Sequence, residues 1–284
     1  MPVRNLLQPL RGLTDNTTVE TNLRYKPTSI SERHELDLIL PTNIERPRGL
    51  VLFIHGGFWT NQDRRYFRPV TGLYWNIGYG LANAGYAAAI LSYRIYPEAD
   101  IQGQLDDIQA ALDWGGEKIG SLNIDADRLF LMGHSAGGHL AALSALDSKK
   151  PAIDRGLAGV VALSPVLDVA HMRDSQPADF NRQVTEAVFG KDASDQELAR
   201  RSPGLRWPKD APLLVLTGEQ DYPFIRTQAA ELLKRHPPGS SQVQVRELPG
   251  LTHADLVLQF DADPSPVLPA VLEFLNQPAG PAAK

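Results

Sequence analysis

One segment near the middle of the chain constrains the fold more than any other. The apolar run 129–132 leads into Gly133-His134-Ser135-Ala136-Gly137, and a helix-forming stretch over 139–146 follows at once. A strand that turns sharply into a helix places the central serine on a strained turn with its hydroxyl exposed. Glycines flank the serine because side chains there would collide with the neighbouring strand or helix. A glycine-rich turn that merely contains a serine is the alternative, and the flanking strand and helix disfavour it.

The rest of the chain alternates between strand and helix patterns. We predict strands over 35–40, 50–54, 87–91, 159–163, 212–216 and 242–248, and helices over 72–85, 104–119, 223–235 and 266–276. Continuous apolar runs such as 50–54 are typical of strands that are buried on both faces. Alternation with short connections predicts an α/β fold with a mostly parallel sheet and helices on both faces.

The 284 residues fit a single domain of this class. Residues 1–30 show no strong periodicity, and we expect an irregular N-terminal arm that could form part of a lid. Over 165–210 the alternation lapses and the spacing of the apolar residues indicates short helices, which predicts a small cap inserted above the C-terminal edge of the sheet. The tail 277–284, rich in proline, alanine and glycine, is expected to be flexible.

Composition excludes several classes of function. The formal net charge is −5, so we expect no nucleic-acid partner. The short basic patches at 63–65 and 200–201 lie beside acids, and we interpret them as solvated surface. The absence of cysteine removes disulfides and thiolate nucleophiles. No stretch has the length of a membrane helix or of a signal-peptide core, which favours a cytoplasmic protein without a membrane partner. Whether the chain forms a homo-oligomer stays open.

A serine nucleophile needs a base within hydrogen-bond reach and an acid that orients the base. In folds of this type the acid and then the histidine follow the serine, each on a loop after a strand. Glu219 and Asp221 both follow the strand 212–216, and we favour Asp221 because it lies further out on the loop. The alternative is that Asp221 only caps the helix that begins at Pro223.

His253 is the candidate general base. Among the seven histidines it alone follows a strand downstream of both the serine and the acid. The alternative is a surface histidine at the start of a helix. His34, His171 and His236 are in polar surroundings, and we expect them to face water.

A fourth element follows the strand 50–54, where the sequence reads His55-Gly56-Gly57-Phe58-Trp59. Consecutive glycines allow backbone N–H groups to turn toward a site, and an oxyanion needs such donors. We therefore predict an oxyanion hole formed by the N–H groups of Gly56, Gly57 and Ala136. An ordinary Gly-Gly turn is the alternative. No dense group of His, Asp and Glu at ligand spacing is present, so we expect neither a metal nor a cofactor.

Together these motifs resemble the α/β-hydrolase carboxylesterases, a group that includes the hormone-sensitive-lipase-like esterases and the kynurenine formamidases. The resemblance extends over about 50–274 and includes Tyr93-Arg94, Pro97-Glu98 and Ser164-Pro165. Hormone-sensitive-lipase-like esterases usually carry a glycine where this chain has Phe58 and an aspartate where it has His134. The pattern here is closer to kynurenine formamidases and related small bacterial esterases.

The resemblance implies a serine hydrolase that cleaves small acyl or aryl carboxylic esters through an acyl-enzyme on Ser135. It also implies that Phe58, Trp59 and His134 contact the substrate, with the two aromatic side chains on the acyl side. One alternative is an aryl-formamidase that hydrolyses N-formylkynurenine. Another is a non-catalytic binding protein with the same fold. The expected partner is a small ester or amide.

Overall fold

The computed structural model describes residues 16–66, 73–146 and 156–277. It contains an eight-stranded sheet with the order β1-β2-β4-β3-β5-β6-β7-β8. The strands are β1 (Thr17–Arg24), β2 (Glu35–Pro41), β3 (Leu50–Ile54), β4 (Ala87–Leu91), β5 (Leu129–His134), β6 (Leu157–Leu163), β7 (Leu213–Gln220) and β8 (Val243–Thr252).

The six strands β4-β3-β5-β6-β7-β8, in their order across the sheet, are all parallel to one another. Strand β2 pairs antiparallel with β4, and β1 pairs antiparallel with β2. Every residue of β3 is buried, as expected for a central strand with helices on both faces. Because the strands are parallel, β3, β5, β7 and β8 place the residues that follow them at the same edge of the sheet. The four predicted motifs therefore meet at one edge.

Helices cover both faces of the sheet. They are α1 (Trp75–Asn83), α2 (Ile101–Ser121), α3 (Ala136–Ala145), α4 (Val169–Asp174), α5 (Ala178–Phe189), α6 (Asp195–Arg200), α7 (Pro223–Arg235), α8 (Asp255–Leu258) and α9 (Val267–Leu275). One apolar core lies between the sheet and α2, α3 and α7, and the other between the sheet and α1, α8 and α9. The α/β architecture predicted from the alternating pattern is confirmed.

The N-terminal expectation was wrong for the part of the arm that the structure describes. Residues Thr17–Arg24 form the edge strand β1, which pairs antiparallel with β2. Most of its side chains are exposed, so the strand lacks the apolar alternation that would have predicted it. Residues 1–15 lie outside the described residues, as do 278–284 of the predicted tail.

Several element bounds differ from the sequence prediction. The helix predicted over 104–119 begins at Ile101, because Asp100 accepts a hydrogen bond from the N–H of Gly103 at 2.9 Å and caps it. The helix predicted over 72–85 spans only Trp75–Asn83. Strand β8 extends to Thr252, four residues past the predicted end.

Between β6 and β7 the sheet is interrupted by α4, α5, α6 and a short 3₁₀ turn at Pro203–Leu205. Helix α6 begins with a capping box, in which Ser194 and Glu197 satisfy each other's backbone N–H groups. The expectation of short helices in this segment agrees with the structure. Among the helices that the structure describes, none is long and apolar enough to cross a membrane.

Candidate active site

Ser135 lies at the turn between β5 and α3 with strained backbone angles, φ 55° and ψ −120°. A side chain on Gly133 would place its Cβ 2.2 Å from the carbonyl oxygen of Gly137, and one on Gly137 would come within 2.1 Å of the carbonyl oxygen of Ile54. Only glycine fits at either position. The backbone N–H of Ser135 donates to the carbonyl of Leu163 at 2.8 Å and ties the turn to β6. Such strain persists only where the surrounding structure enforces it.

The loops after β7 and β8 bring Asp221 and His253 together. The Nδ1–H of His253 donates to Oδ1 of Asp221 at 2.8 Å, and the Asp221 side chain is fully buried. The same oxygen accepts the N–H of Tyr222 at 2.8 Å, and the hydroxyl of Ser164 donates to the other oxygen. Because Nδ1 carries the proton, Nε2 of a neutral His253 is left as an acceptor.

Two opposing effects set the pKa of Asp221. Burial raises it, but the hydrogen bond and charge of His253 lower it, and the hydrogen bonds from Ser164 and Tyr222 add to the lowering. The net pKa lies below the usual value of an aspartate. Asp221 is therefore an anion at neutral pH and stabilises a positive charge on His253.

Glu219, the other acid after β7, is placed differently. Its side chain is exposed and accepts a hydrogen bond from the N–H of Gly250 at 2.8 Å. It thus supports the turn inside β8, while His253 pairs with Asp221. Downstream of His253, the carboxylate of Asp255 accepts the N–H of Thr252 at 2.9 Å and stabilises the loop that carries the imidazole.

His134, directly before Ser135, contacts the histidine loop. Its Nε2–H donates to the backbone carbonyl of His253 at 3.0 Å, and the two imidazole rings lie 4.7 Å apart. Burial, together with the charge of His253, lowers the pKa of His134 to about 3, so its ring is neutral. Its Nδ1 has no hydrogen-bond partner among the described residues and lies close to Gly56.

The loop after β3 approaches the turn at Ser135 closely. A Cβ built on Gly56 would lie 3.3 Å from the Cβ of Ser135. The carbonyl of Gly56 accepts a hydrogen bond from Nδ1 of His55 at 2.8 Å. In a trans peptide the next N–H points the opposite way, so the N–H of Gly57 points away from His55. The N–H of Ala136, at the first position of α3, has no carbonyl partner within the helix.

Three successive residues of this loop have positive φ: Gly57 at 104°, Phe58 at 53° and Trp59 at 60°. Two hydrogen bonds to the carbonyl of Trp59 fix the turn, one from the N–H of Tyr96 at 2.9 Å and one from the side chain of Gln104 at 3.0 Å. The strained conformation is therefore held by the segment after β4 and by α2 rather than by the loop alone.

Arg64 fixes the far end of the same loop. It is buried, and its guanidinium pairs with Glu35 at 2.7 Å and Asp37 at 3.3 Å, both on β2. It also donates to the hydroxyl of Ser92 at 3.2 Å. The loop is thus tied to the sheet on both sides. Sequence reasoning interpreted the basic patch at 63–65 as solvated surface, which is wrong for Arg64.

Trp59 is fully buried. Its indole N–H donates to Nδ1 of His139 on α3 at 3.2 Å, and the Nε2–H of His139 donates to the carbonyl of Arg201 at 2.7 Å. Since an indole only donates and a carbonyl only accepts, the tautomer of His139 is fixed. Burial lowers the pKa of His139 to about 4, in keeping with this neutral form.

Phe58 is half-buried and contacts the segment between β6 and β7. Its ring meets that of Phe180, on α5, edge to face at 4.9 Å, and Phe180 is 44% exposed. Phe189, at the end of the same helix, packs edge to face on Trp59 at 5.2 Å. The sequence predicted short helices here, in a cap above this edge of the sheet, but it did not indicate that these two phenylalanines contact the loop.

The expectation that His34 and His236 face water was wrong, since both are buried. His34 lies between the hydroxyl of Ser29 at 2.5 Å and the carboxylate of Asp107 at 3.0 Å. For His34 the burial is explained by Asp107, a polar partner that α2 brings from a distant part of the chain. His171 is exposed, as expected.

A cavity of about 980 Å³ lies between α2, α3, α5 and α6. Its lining includes Leu105, Phe189 and Arg201, and none of Ser135, Asp221 and His253. It is therefore distinct from the site around the serine. Across the ranges 16–66, 73–146 and 156–277, no group of three or more His, Asp or Glu side chains has metal-ligating geometry.

The sequence matches the BD-FAE family over residues 36–236. The chain belongs to the BD-FAE family of α/β-hydrolase esterases. It is 25% identical over 242 residues to the isoprenylcysteine alpha-carbonyl methylesterase of Arabidopsis thaliana, covering 80% of this chain and 55% of that protein. It is 26% identical over 244 residues to esterase LipC of Mycobacterium tuberculosis, covering 82% and 59%.

The chain thus spans about half the length of the curated relatives it matches. Among solved structures, esterase B of Lactobacillus rhamnosis superposes with a TM-score of 0.75 at 24% identity, covering 92% of this chain and 84% of that one. This likeness confirms the α/β-hydrolase fold that the motifs predicted.

Proposed function

We propose that this BD-FAE family member is a serine carboxylesterase that acts through an acyl-enzyme on Ser135. The observation that carries the proposal is the pairing of a buried, ionised Asp221 with His253 at 2.8 Å. Ser135 lies on a strained turn, and its neighbour His134 donates to the backbone carbonyl of His253 at 3.0 Å. This is the arrangement that a hydroxyl nucleophile requires. The esterase names of the relatives support the same reaction class.

In the acylation step, Ser135 Oγ attacks the ester carbonyl carbon while its proton passes to Nε2 of His253. Asp221 stabilises the resulting imidazolium and does not take the proton itself. The N–H groups of Gly56, Gly57 and Ala136 are proposed to bind the oxyanion, each contributing about 2.7–4 kcal/mol to the transition state. The imidazolium then protonates the leaving alkoxide as the carbon–oxygen bond breaks, which leaves the acyl group on Ser135.

In the deacylation step, His253 removes a proton from water, and the water oxygen attacks the acyl carbon. The second tetrahedral intermediate collapses with return of the proton to Ser135 Oγ. The products are a carboxylic acid and an alcohol, and the residues proposed here supply every proton transfer.

We further propose that the segment 165–210 acts as a cap within a single domain, and that the substrates are small esters. The contact of Phe180 with Phe58 supports this, because it places α5 of the segment against the proposed oxyanion loop. Phe58 is half-buried and is proposed to contact the acyl group. The indole N–H of Trp59 and the Nε2–H of His134 donate to protein groups. We propose that both residues act on substrate mainly through the shape of the loops they hold.

The experiment compares kcat/KM for p-nitrophenyl acetate and N-formylkynurenine, with Ser135→Ala as the blank. We expect a clear preference for the ester in the wild type, and in Ser135→Ala no turnover of either substrate above the enzyme-free rate. A preference for the formamide by orders of magnitude would replace the carboxylesterase with an aryl-formamidase that uses the same residues. Wild-type turnover in Ser135→Ala would overturn the mechanism itself.

A further inference from the structure

Tyr222 is an exposed aromatic residue that touches the proposed general base. Within the described ranges, the large apolar side chains with substantial exposure are Ile30, Ile44, Tyr96, Phe180 and Tyr222. The ring of Tyr222 is 44% exposed, yet its centroid lies only 4.8 Å from that of His253. It is this contact with the proposed general base, rather than exposure alone, that distinguishes Tyr222 from the other four.

Other rings hold Tyr222 in this position. Phe224 stacks on it nearly parallel, at 5.8 Å and an interplanar angle of 11°. The backbone N–H of Tyr222 donates to Asp221, so its main chain is fixed to the same acid that orients His253. The ring is therefore positioned before any ligand arrives, which lowers the entropy cost of using it as a binding surface.

The chemistry decides which part of an ester lies beside this ring. During acylation His253 gives its proton to the leaving oxygen, and a general acid must be within hydrogen-bond reach of the atom it protonates. The group attached to that oxygen is consequently next to the imidazole when the bond breaks. Tyr222, in contact with the imidazole, borders the space that this group occupies.

We propose that Tyr222 forms a leaving-group subsite and that the enzyme favours esters whose alcohol carries an apolar ring. The proposal rests on the carboxylesterase function argued above and adds the class of alcohol to it. Contact with an exposed ring removes apolar surface of both partners from water, which stabilises the bound ester. A small alcohol such as ethanol is too short to gain the same contact.

The position of this subsite has a kinetic signature. Once the alcohol has left, the acyl-enzyme from a given acid is the same whatever the alcohol was. A leaving-group contact therefore affects acylation only, and its effect depends on the alcohol. A residue that acts by positioning His253 would instead affect acylation and deacylation, for every ester alike.

Benzyl acetate and ethyl acetate test this, because they share the acetyl group and both have poor leaving groups. For Tyr222→Ala we expect kcat/KM to fall about tenfold more for benzyl acetate than for ethyl acetate. Tyr222→Phe should keep the wild-type ratio, because the ring remains and the hydroxyl makes no hydrogen bond among the described residues. Tyr222→Leu, which retains apolar volume, should keep part of the wild-type preference for benzyl acetate over ethyl acetate.

The deacylation rate of the acetyl-enzyme, followed by quench-flow mass spectrometry, should be the same in all of these variants. Ile44→Ala, a loss of apolar surface elsewhere, is the matched control and should not change the ratio. An equal loss for both esters, slower deacylation, or no loss in Tyr222→Ala would each overturn the subsite. None of these results would affect the proposed function, which fails if Ser135→Ala retains turnover or if the wild type prefers the formamide by orders of magnitude.

Discussion

His134 donates a hydrogen bond from Nε2 to the backbone carbonyl of His253, across 3.0 Å. The residue directly before the proposed nucleophile thus holds the loop that carries the proposed base. Burial lowers the pKa of His134 to about 3, so the ring that donates this hydrogen bond is uncharged at neutral pH. The turn and the histidine loop are coupled through a single uncharged side chain.

Replacing His134 with alanine should release the histidine loop. One hydrogen bond is worth about 0.5–1.5 kcal/mol, which corresponds to a fall in kcat of up to about tenfold. KM should change less, because the substrate contacts proposed for Phe58 and Tyr222 remain. Steady-state kinetics with p-nitrophenyl acetate measures both constants. His171→Ala, at an exposed histidine of α4, is the control, and an effect as large as that of His134→Ala would refute the coupling.

Asp221→Asn should lower kcat by about 10³–10⁴-fold, because an amide neither stabilises the imidazolium nor enforces the tautomer. Glu219→Gln should leave kcat within about twofold of the wild type, since its carboxylate bonds only to the N–H of Gly250 in the structure. The pair of variants separates the two acids that the sequence left as alternatives. Comparable losses in both would show that the acid is assigned wrongly.

Unfolding should become easier as the pH falls toward 4. His55, His134 and His139 are fully buried, and burial lowers their pKa values to about 4, about 3 and about 4. In the unfolded chain a histidine titrates near 6.5, so the unfolded state binds more protons below that pH. For each of these rings, the free energy of unfolding therefore falls by about 1.4 kcal/mol for every unit by which the pH drops between about 6.5 and 4.

Urea unfolding at several pH values tests this on His139→Gln. In the acid range the free energy of unfolding of the variant should depend less steeply on pH than that of the wild type, because the variant takes up about one proton fewer on unfolding. Above about pH 7 the slopes should converge, because a neutral ring no longer exchanges protons on unfolding. A variant slope equal to the wild-type slope in the acid range would show that His139 is protonated in the folded state.

Gly137→Ala should prevent correct folding or destabilise the protein severely, because its Cβ would meet the backbone of Ile54 and His55 at 2.1 and 2.3 Å. Gly116→Ala is the control within α2, where a Cβ would meet nothing within 4 Å. There alanine should stabilise by about 0.5–1 kcal/mol through helix propensity. Thermal unfolding compares them, and an equal Tm for Gly137→Ala and wild type would contradict the close approach of β3 to the turn.

The parallel core and the positions of the motifs could be predicted from the sequence. Continuous apolar runs such as β3 are typical of parallel strands buried on both faces, and the motifs directly follow such runs. The edge strand β1 could not, since its exposed polar residues lack a period. The contacts of Phe180 and Tyr222 were also out of reach. They depend on where α5 and the loop after β7 lie in space, and no local pattern encodes that placement.

Labelling with a fluorophosphonate tests whether Ser135 is the residue that carries the acyl group. Peptide mass spectrometry should find one phosphonyl group per chain, on Ser135, and labelling of Asp221→Asn should be much slower. Ser135→Ala should remain folded and unlabelled, with kcat lowered by about 10⁵-fold or more. Labelling at another residue, or undiminished turnover by Ser135→Ala, would show that Ser135 is not the nucleophile.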